Sequence, residues 1–277
     1  MTRDKEILIS IKRLIESRST YGYKRITALY NTERQKLGLP GYNKKRIYRI
    51  MKENALLLPK SEKTRDERKR TGKIITPKSN MRWCSDCFEI VCFNGEKVYV
   101  SFVLDCCDRE VISYVSQGRP LLSDDIQSLM ILAVERRFGA FHTGREIEFL
   151  SDRGSIYRSY AVQLLARKIG LKSCFTRAYS PESNGMSEAF VKTIKRDYVY
   201  VSDCYSAEVT MGLLEGWIKD YNTVAPHSGL GMRSPMEYRK MQERKEIREF
   251  CPPLGGMRIG VQTSQMQKQD VLLSQGQ

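Results

Sequence analysis

Residues 180–192 read SPESNGMSEAFVK, and this stretch decides how the rest of the chain is interpreted. It places Glu188 near the start of an expected helix, with 35 residues between it and Asp152, which ends an apolar run. Asp86 lies earlier, within the alternating run RWCSDCFEIV. Two strand-borne aspartates and a helical glutamate form a predicted ligand set for two divalent metal ions, which suits the cutting and joining of phosphodiesters.

The positive charge of the chain is concentrated at its front. The 277 residues carry a net charge of +15. Residues 1–80 hold 22 Lys or Arg against 8 Asp or Glu, which gives +14, whereas residues 81–277 hold 25 against 24, which gives +1. Such segregation favours a front that contacts nucleic acid over a merely soluble basic surface.

The composition predicts a globular protein in the cytoplasm, associated with the nucleoid. Hydrophobic residues make up 41% of the chain, enough for one mid-sized core and a smaller module. No apolar run approaches the length of a membrane span, and no signal peptide is expected at the start.

Residues 1–58 are predicted to form a helical, helix-turn-helix-like DNA-binding module. Apolar residues at helical spacing indicate helices over 5–18, 23–36 and 43–54, the last capped by Asn43. A basic third helix suits contact with DNA, and a solvated basic face on a small bundle is the alternative. The expected DNA contacts in the module are Arg25, Lys44, Lys45, Arg46 and Arg49.

The rest of the chain divides into a basic linker (59–80), a catalytic core (81–240) and a tail (241–277). In the core, strands are expected over 82–93, 97–106, 110–117, 146–151 and 171–175, with the first two joined by an Asn94-Gly95 turn. Helices are expected over 124–138, 157–169 and 207–221, besides the one that carries Glu188. This order predicts an α/β fold with a mixed sheet.

Several other side chains compete with the proposed ligand set. Cys84, Cys87, Cys106 and Cys107 could be zinc ligands, but cysteines within strands are better interpreted as reduced and mostly buried. Asp105 and Asp108 at a strand end are interpreted as structural, with Asp105 the stronger substitute ligand. The remaining assignments are helix N-terminal roles for Asp124 and Asp125, and structural or loop positions for His142 and His227.

Lys195 lies seven residues after Glu188, two helical turns along the same face. Its ammonium could therefore reach a DNA phosphate or base beside the metal ions. A solvated lysine is the usual alternative, and the catalytic face favours DNA contact.

The motifs resemble the insertion-sequence transposases of the DDE superfamily, which share a retroviral-integrase, RNase H-like core. The similarity is to OrfB proteins of insertion-sequence family three, closest to the insertion-sequence-two branch, and it spans about residues 2–240. It rests on YGYKRI (21–26) with NKKRI (43–47), WCSD (83–86), SDRGS (151–155), SPESNG through KRDY (180–198), and YN, PHS and RSP between 221 and 235.

The resemblance implies metal-dependent cleavage at element ends, followed by attack of the freed 3′-hydroxyl on another strand. It assigns Asp86, Asp152 and Glu188 to two Mg²⁺ (or Mn²⁺) ions and adds Arg153, Asn184 and Lys195 as DNA contacts. The implied partners are double-stranded DNA (terminal repeats and target), further copies of the chain, and an upstream-frame OrfA protein or a fusion with it. A structure-selective nuclease and a non-catalytic, element-derived regulator are the alternatives.

Overall fold

The computed structural model describes residues 3–59, 76–176 and 184–250. The linker stretch 60–75, the SPES residues 180–183 and the tail from 251 onward lie outside the described residues. Described residues up to Gln242 belong to one compact unit. Within the described ranges, no helix is both long and apolar enough to cross a membrane.

Three helices form the N-terminal module, as predicted. They are α1 (Arg3–Ser17), α2 (Tyr23–Lys36) and α3 (Lys44–Glu53). Asn43 caps α3 by accepting a hydrogen bond from the backbone N–H of Lys45, which satisfies a donor that the helix itself leaves unpaired. The module has its own apolar core, which includes Ile7, Ile11, Tyr21, Ile26, Ile47, Ile50 and Met51.

The second region is built on a mixed five-stranded sheet, which confirms the predicted fold class. Its strands are β1 (Arg82–Val91), β2 (Lys97–Asp105), β3 (Val111–Gln117), β4 (Ile147–Ser151) and β5 (Leu171–Phe175), in the order β3-β2-β1-β4-β5. The three N-terminal strands pair antiparallel, whereas β4 and β5 run parallel to β1.

Helices cover both faces of this sheet. They are α4 (Ser123–Phe138), α5 (Ser155–Arg158), α6 (Tyr160–Lys168), α7 (Gly185–Asp197) and α8 (Ala207–Thr223). A further helix, α9 (Pro235–Phe250), follows them in the chain. Even-numbered residues of β1, such as Cys84 and Phe88, pack with α7 and α8 in one apolar cluster. Trp83 points the opposite way, into a second cluster with α4 and α6. Because successive side chains of a strand point to opposite faces, each β1 residue packs on only one of the two sides of the sheet.

Three details differ from the sequence prediction. The expected helix over 157–169 is two helices, because Ser159 has an extended backbone and its hydroxyl caps α6 at Val162. Cys106 and Cys107 lie in the turn after β2 rather than within it. Cys84 and Cys87 point to opposite faces as predicted, but Cys87 is exposed rather than buried.

The acids at the end of β2 are structural, as predicted. Asp105 and Asp108 are buried, and both accept hydrogen bonds from Arg137 of α4. Burial and the charge of Asp108 raise the pKa of Asp105 to about 6, although Arg137 lowers it. Arg137 also contacts Glu110, so one guanidinium joins α4 to the β2–β3 turn.

Candidate active site

Asp86 and Asp152 lie on neighbouring parallel strands. Asp86 is in the middle of β1, and Asp152 directly follows the carboxyl end of β4. The β1–β4 register pairs Cys84 with Leu150, so the same register carried two residues further brings position 86 opposite position 152. Cys84 and Leu150 both belong to the apolar cluster beneath α7. Side chains two residues apart in a strand point to the same face of the sheet, so Asp86 and Asp152 point toward α7, as Cys84 and Leu150 do.

Glu188 reaches the same place from the first turn of α7. The helix is held over β1 and β2 by Phe190, whose ring lies 4.3 Å (centroid to centroid) from the ring of Phe102. Phe102 is the β2 partner of Asp86 in the antiparallel register. Glu188 is half-buried and lies 3.7 Å from the ammonium of Lys192, a weak contact within the helix.

The charges of Asp152 and Glu188 both act on the carboxyl group of Asp86. Burial raises the pKa of Asp86, and the negative charges of Asp152 and Glu188 raise it further, against a backbone N–H of Cys87 that lowers it. Within the described ranges, no three His, Cys, Asp or Glu side chains are close enough to hold a metal ion together. The acids thus face one region without forming a closed cage, and hard carboxylate oxygens are the ligands that Mg²⁺ and Mn²⁺ prefer.

A buried hydroxyl cluster lies under the two aspartates and was not predicted from the sequence. Tyr157 of α5 contacts the hydroxyls of Ser85 on β1 and Ser101 on β2, at 2.7 and 2.9 Å. Ser101 also donates to the backbone carbonyl of Asp86. Because Tyr157 follows Asp152 by five residues, the cluster ties the turn that carries Asp152 to the strand that carries Asp86.

The turn after β4 presents Asp152 at the surface. The backbone N–H of Gly154 donates to its carboxylate at 3.0 Å. A β-carbon at Gly154 would lie 3.0 Å from the same oxygen, so the turn favours glycine there. Arg153 is exposed beside Asp152, and its Nε donates to the backbone carbonyl of Thr176. The chain has two histidines, His142 and His227, and His142 lies in a loop, as predicted.

Lys195 lines a cleft over β1. Its ammonium is 5.9 Å from the centroid of the Phe88 ring. The cleft is also lined by Cys87, the residue after Asp86, and by Ile156 of α5. The seven-residue spacing from Glu188 therefore places both side chains along one edge of α7, where DNA contact remains a prediction.

Two residues that we predicted as DNA contacts are engaged within the protein. Asn184 is buried, and its amide donates to the backbone carbonyl of Ser85 at 3.5 Å. Arg25 is mostly buried and forms an ion pair with Asp197 at the end of α7. Both side chains are therefore engaged within the protein, and their contact with DNA remains a prediction.

The other basic residues of the module remain at or near its surface. Lys44 and Lys45 are exposed on α3. Arg46 and Arg49 both pair with Asp4 of α1, where their positive charges lower the pKa of that carboxyl. The pairs leave α3 with a basic outer face, whose contact with DNA remains a prediction.

The fold and the site define an integrase-type polynucleotidyl transferase. Two families described as "Integrase core domain" match residues 76–181 and 169–235, and one described as "HTH-like domain" matches residues 2–63. The chain is 43% identical over 238 residues to the transposases InsD for insertion elements IS2A/D/F/H/I/K and IS2D, both of Escherichia coli. The match covers 86% of this chain and 79% of each relative. The chain therefore belongs to the insertion-sequence transposases of family three, and it is a DNA transposase.

A solved structure supports the fold independently. A chain of the simian T-cell lymphotropic virus intasome, solved in complex with PP2A regulatory subunit B56 gamma, superposes with a TM-score of 0.51 at 15% identity. The superposition covers 72% of this chain and 67% of the viral chain. At that identity the likeness concerns the fold.

Proposed function

We propose that Asp86, Asp152 and Glu188 are the catalytic carboxylates of this transposase and that together they bind two Mg²⁺ (or Mn²⁺) ions. The observation that carries the proposal is the β1–β4 register, which brings Asp86 beside Asp152 on the face covered by α7. The effect of the charges of Asp152 and Glu188 on the pKa of Asp86 supports it.

When bound, the divalent ions supply charge stabilisation to the attacking and leaving oxygens of an in-line phosphoryl transfer. The chain's own residues supply the frame. Tyr157 fixes the turn of Asp152 to β1, and Phe190 fixes α7 over Phe102. In the first step water attacks a phosphodiester at the element end, which breaks the bond to the 3′-oxygen and leaves a 3′-hydroxyl and a 5′-phosphate. In the second step that 3′-hydroxyl attacks a target phosphodiester, so that a new P–O bond forms while the target's own bond to its 3′-oxygen breaks and that oxygen leaves as a hydroxyl.

DNA contact is proposed at two surfaces. Lys195 and Arg153 flank the carboxylates and are suited to phosphates next to the reacting bond. The basic face of α3, formed by Lys44, Lys45, Arg46 and Arg49, is suited to double-stranded DNA of the terminal repeats. In this proposal Asn184 and Arg25 hold the protein together instead of contacting DNA.

The domain division and the partners are further parts of the proposal. The DNA-binding module is residues 1–58, the linker 59–80, the catalytic core 81–240 and the tail 241–277. Separate apolar cores in the module and around the sheet support the division. We expect the chain to act as a homo-oligomer on DNA near the nucleoid, with an OrfA protein or as a fusion to it.

The test of the triad is a strand-nicking assay on duplex DNA that carries the element ends, with Mg²⁺ or Mn²⁺. Asp152→Asn should abolish nicking while leaving DNA binding intact, because it removes a charged ligand with little change of shape. Asp124→Asn makes the same chemical change at an exposed position of α4 and should keep full activity. Nicking by folded Asp152→Asn at the rate of the unmodified chain would refute the assignment.

A further inference from the structure

Three of the sequence blocks that identify the family meet far from the carboxylates, where the helical module contacts the core. Arg25 and Tyr21 come from YGYKRI, Asp197 from KRDY, and His227 from the C-terminal block. The charges of Arg25 and Asp197 both act on the pKa of His227. We call this contact the junction and define it by Arg18, Thr20, Arg25, Asp197, Tyr198 and Asp220.

One half of the junction is centred on Asp197, the last residue of α7. Its side chain is fully shielded from solvent. Arg25 and Thr20 of the module each donate to it at 2.7 Å, and Arg196 contacts it from the same helix. The guanidinium carbon of Arg25 also lies 3.4 Å from the centroid of the Tyr21 ring. A buried carboxylate with three donors is costly to separate from them.

The other half is centred on Asp220 of α8. Arg18 donates to both of its carboxylate oxygens, at 2.7 and 2.5 Å. The hydroxyl of Tyr198 donates to the same carboxylate at 2.8 Å. A two-pronged guanidinium–carboxylate contact fixes orientation as well as distance. This two-pronged contact on α8 and the single Arg25–Asp197 ion pair on α7 tie the module to two different core helices, which restrains the module against rotation.

The junction and the active site lie at opposite ends of one helix. Glu188 is in the first turn of α7 and Asp197 is its last residue. Nine residues at about 1.5 Å each separate them by about 14 Å along the axis, roughly the rise of four base pairs of DNA. A helix of this length is stiff, so a displacement of Asp197 at the junction also displaces Glu188.

We propose that Arg18 and Arg25 are positioning residues: they fix the helical module to the carboxyl end of α7, so that DNA held by the module meets the carboxylates at a set distance. The inference rests on the proposed catalytic and DNA-binding surfaces. It assigns to the YGYKRI block an intramolecular role in selecting the bond that is cut, in place of the DNA contact that the sequence predicted for Arg25.

The test is a charge exchange at the partly buried Arg18–Asp220 pair. Arg18→Asp and Asp220→Arg are made separately and together in the full chain, and cleavage of element-end duplex with Mn²⁺ is mapped at single-nucleotide resolution. Each single variant should place less than half of its cuts at the bond preferred by the unmodified chain. The double variant should restore most of that preference, because the ion pair is re-formed with its polarity reversed.

Arg13→Asp is the matched control. It makes the same substitution in an exposed ion pair with Glu33 that lies wholly within the module. It should leave the cut distribution unchanged. Amide hydrogen exchange at residues 18–25 and 194–198 should accelerate in the single variants at the junction and return to normal in the double variant.

The outcomes separate this inference from the catalytic proposal. If the unmodified chain cuts one bond and folded Arg18→Asp cuts the same bond with the same preference, the positioning role is refuted. A single variant that only loses thermal stability, with its cut distribution unchanged, refutes it too. If the unmodified chain shows no metal-dependent cutting, alone or fused to OrfA, the catalytic proposal itself is refuted.

Discussion

Arg137 donates to the carboxylate of Asp108 at 2.5 Å, and both side chains are almost completely shielded from water. The same guanidinium reaches Asp105 and Glu110, so it is the buried positive charge that three acids share. Arg239 of α9 contacts Glu110 as well. This cluster holds α4 against the β2–β3 turn.

Replacing Arg137 should be severely destabilising. Arg137→Met leaves Asp105 and Asp108 buried without their main counter-charge, and we expect the free energy of unfolding to fall by about 3–5 kcal/mol. Urea denaturation followed by circular dichroism measures it. The control, Arg119→Met, breaks a half-exposed pair with Asp125 and should cost about 1 kcal/mol or less. Equal losses for the two variants would contradict the central place of Arg137.

Asp86→Asn should inactivate the enzyme and stabilise it. Burial, with the charges of Asp152 and Glu188, raises the pKa of Asp86, so its ionised form is less favourable in the folded than in the unfolded chain. Removing that charge should raise the free energy of unfolding by about 1 kcal/mol in metal-free buffer. Thermal unfolding with EDTA and with Mn²⁺ measures it. Mn²⁺ should stabilise the unmodified chain but not the variant, and equal stabilisation would argue against Asp86 as a ligand.

His227 should make the fold sensitive to acid. Burial, helped by the charges of Arg25 and Arg109, lowers its pKa to about 4 from an ordinary 6.5. Between these values the unfolded chain binds a proton that the folded chain does not, so stability falls as the pH falls from 6.5 to 4, by at most about 3 kcal/mol. This stability is fully present above pH 6.5.

The measurement is urea denaturation at several pH values. His227→Phe keeps a ring against Tyr221 but cannot titrate, so its stability should change less between pH 6.5 and 4, even if it is lower at pH 7. His142→Phe, in an exposed loop, should keep the slope of the unmodified chain. An unchanged slope in His227→Phe would show that other groups dominate acid unfolding.

The basic face of α3 should account for part of the salt dependence of DNA binding. Lys44→Ala combined with Lys45→Ala should lower the slope of log K against log salt by about 1.8, since each phosphate contact contributes about 0.9. Arg46→Ala should lower it by less, because Arg46 already shares Asp4 with Arg49. Titrations of duplex at four salt concentrations provide the slopes. A Lys44/Lys45 double variant with an unchanged slope would remove α3 from the DNA-binding surface.

Lys195 should matter more to strand joining than to binding. Its side chain lines the cleft that also contains Cys87, the residue after Asp86, and one phosphate contact is a small part of the total electrostatic binding. Lys195→Ala should reduce end-specific joining roughly tenfold and leave nonspecific affinity nearly unchanged. Lys192→Ala removes an equal charge one turn away, at a much more exposed position, and should have a smaller effect. Equal effects would assign Lys195 to the general basic surface.

Local patterns in the sequence determined the elements and their chemistry. The alternation around Asp86 predicted β1, and the apolar run before Asp152 predicted β4. Asn43 was identified as a helix cap from its position alone. These features depend on residues within one or two turns of each other, so neighbouring side chains and backbone propensity suffice to specify them.

The tertiary structure decided which distant residues share an environment. Nothing local in YGYKRI distinguishes an arginine that meets Asp197, 172 residues later, from one that meets DNA. Likewise, the hydroxyl contacts of Tyr157 arise only when β1, β2 and α5 are packed. Sequence determined the kinds of groups and the elements that carry them. Strand register and the docking of the module on α7 decided their partners, because those contacts form only when apolar layers from remote segments are buried together.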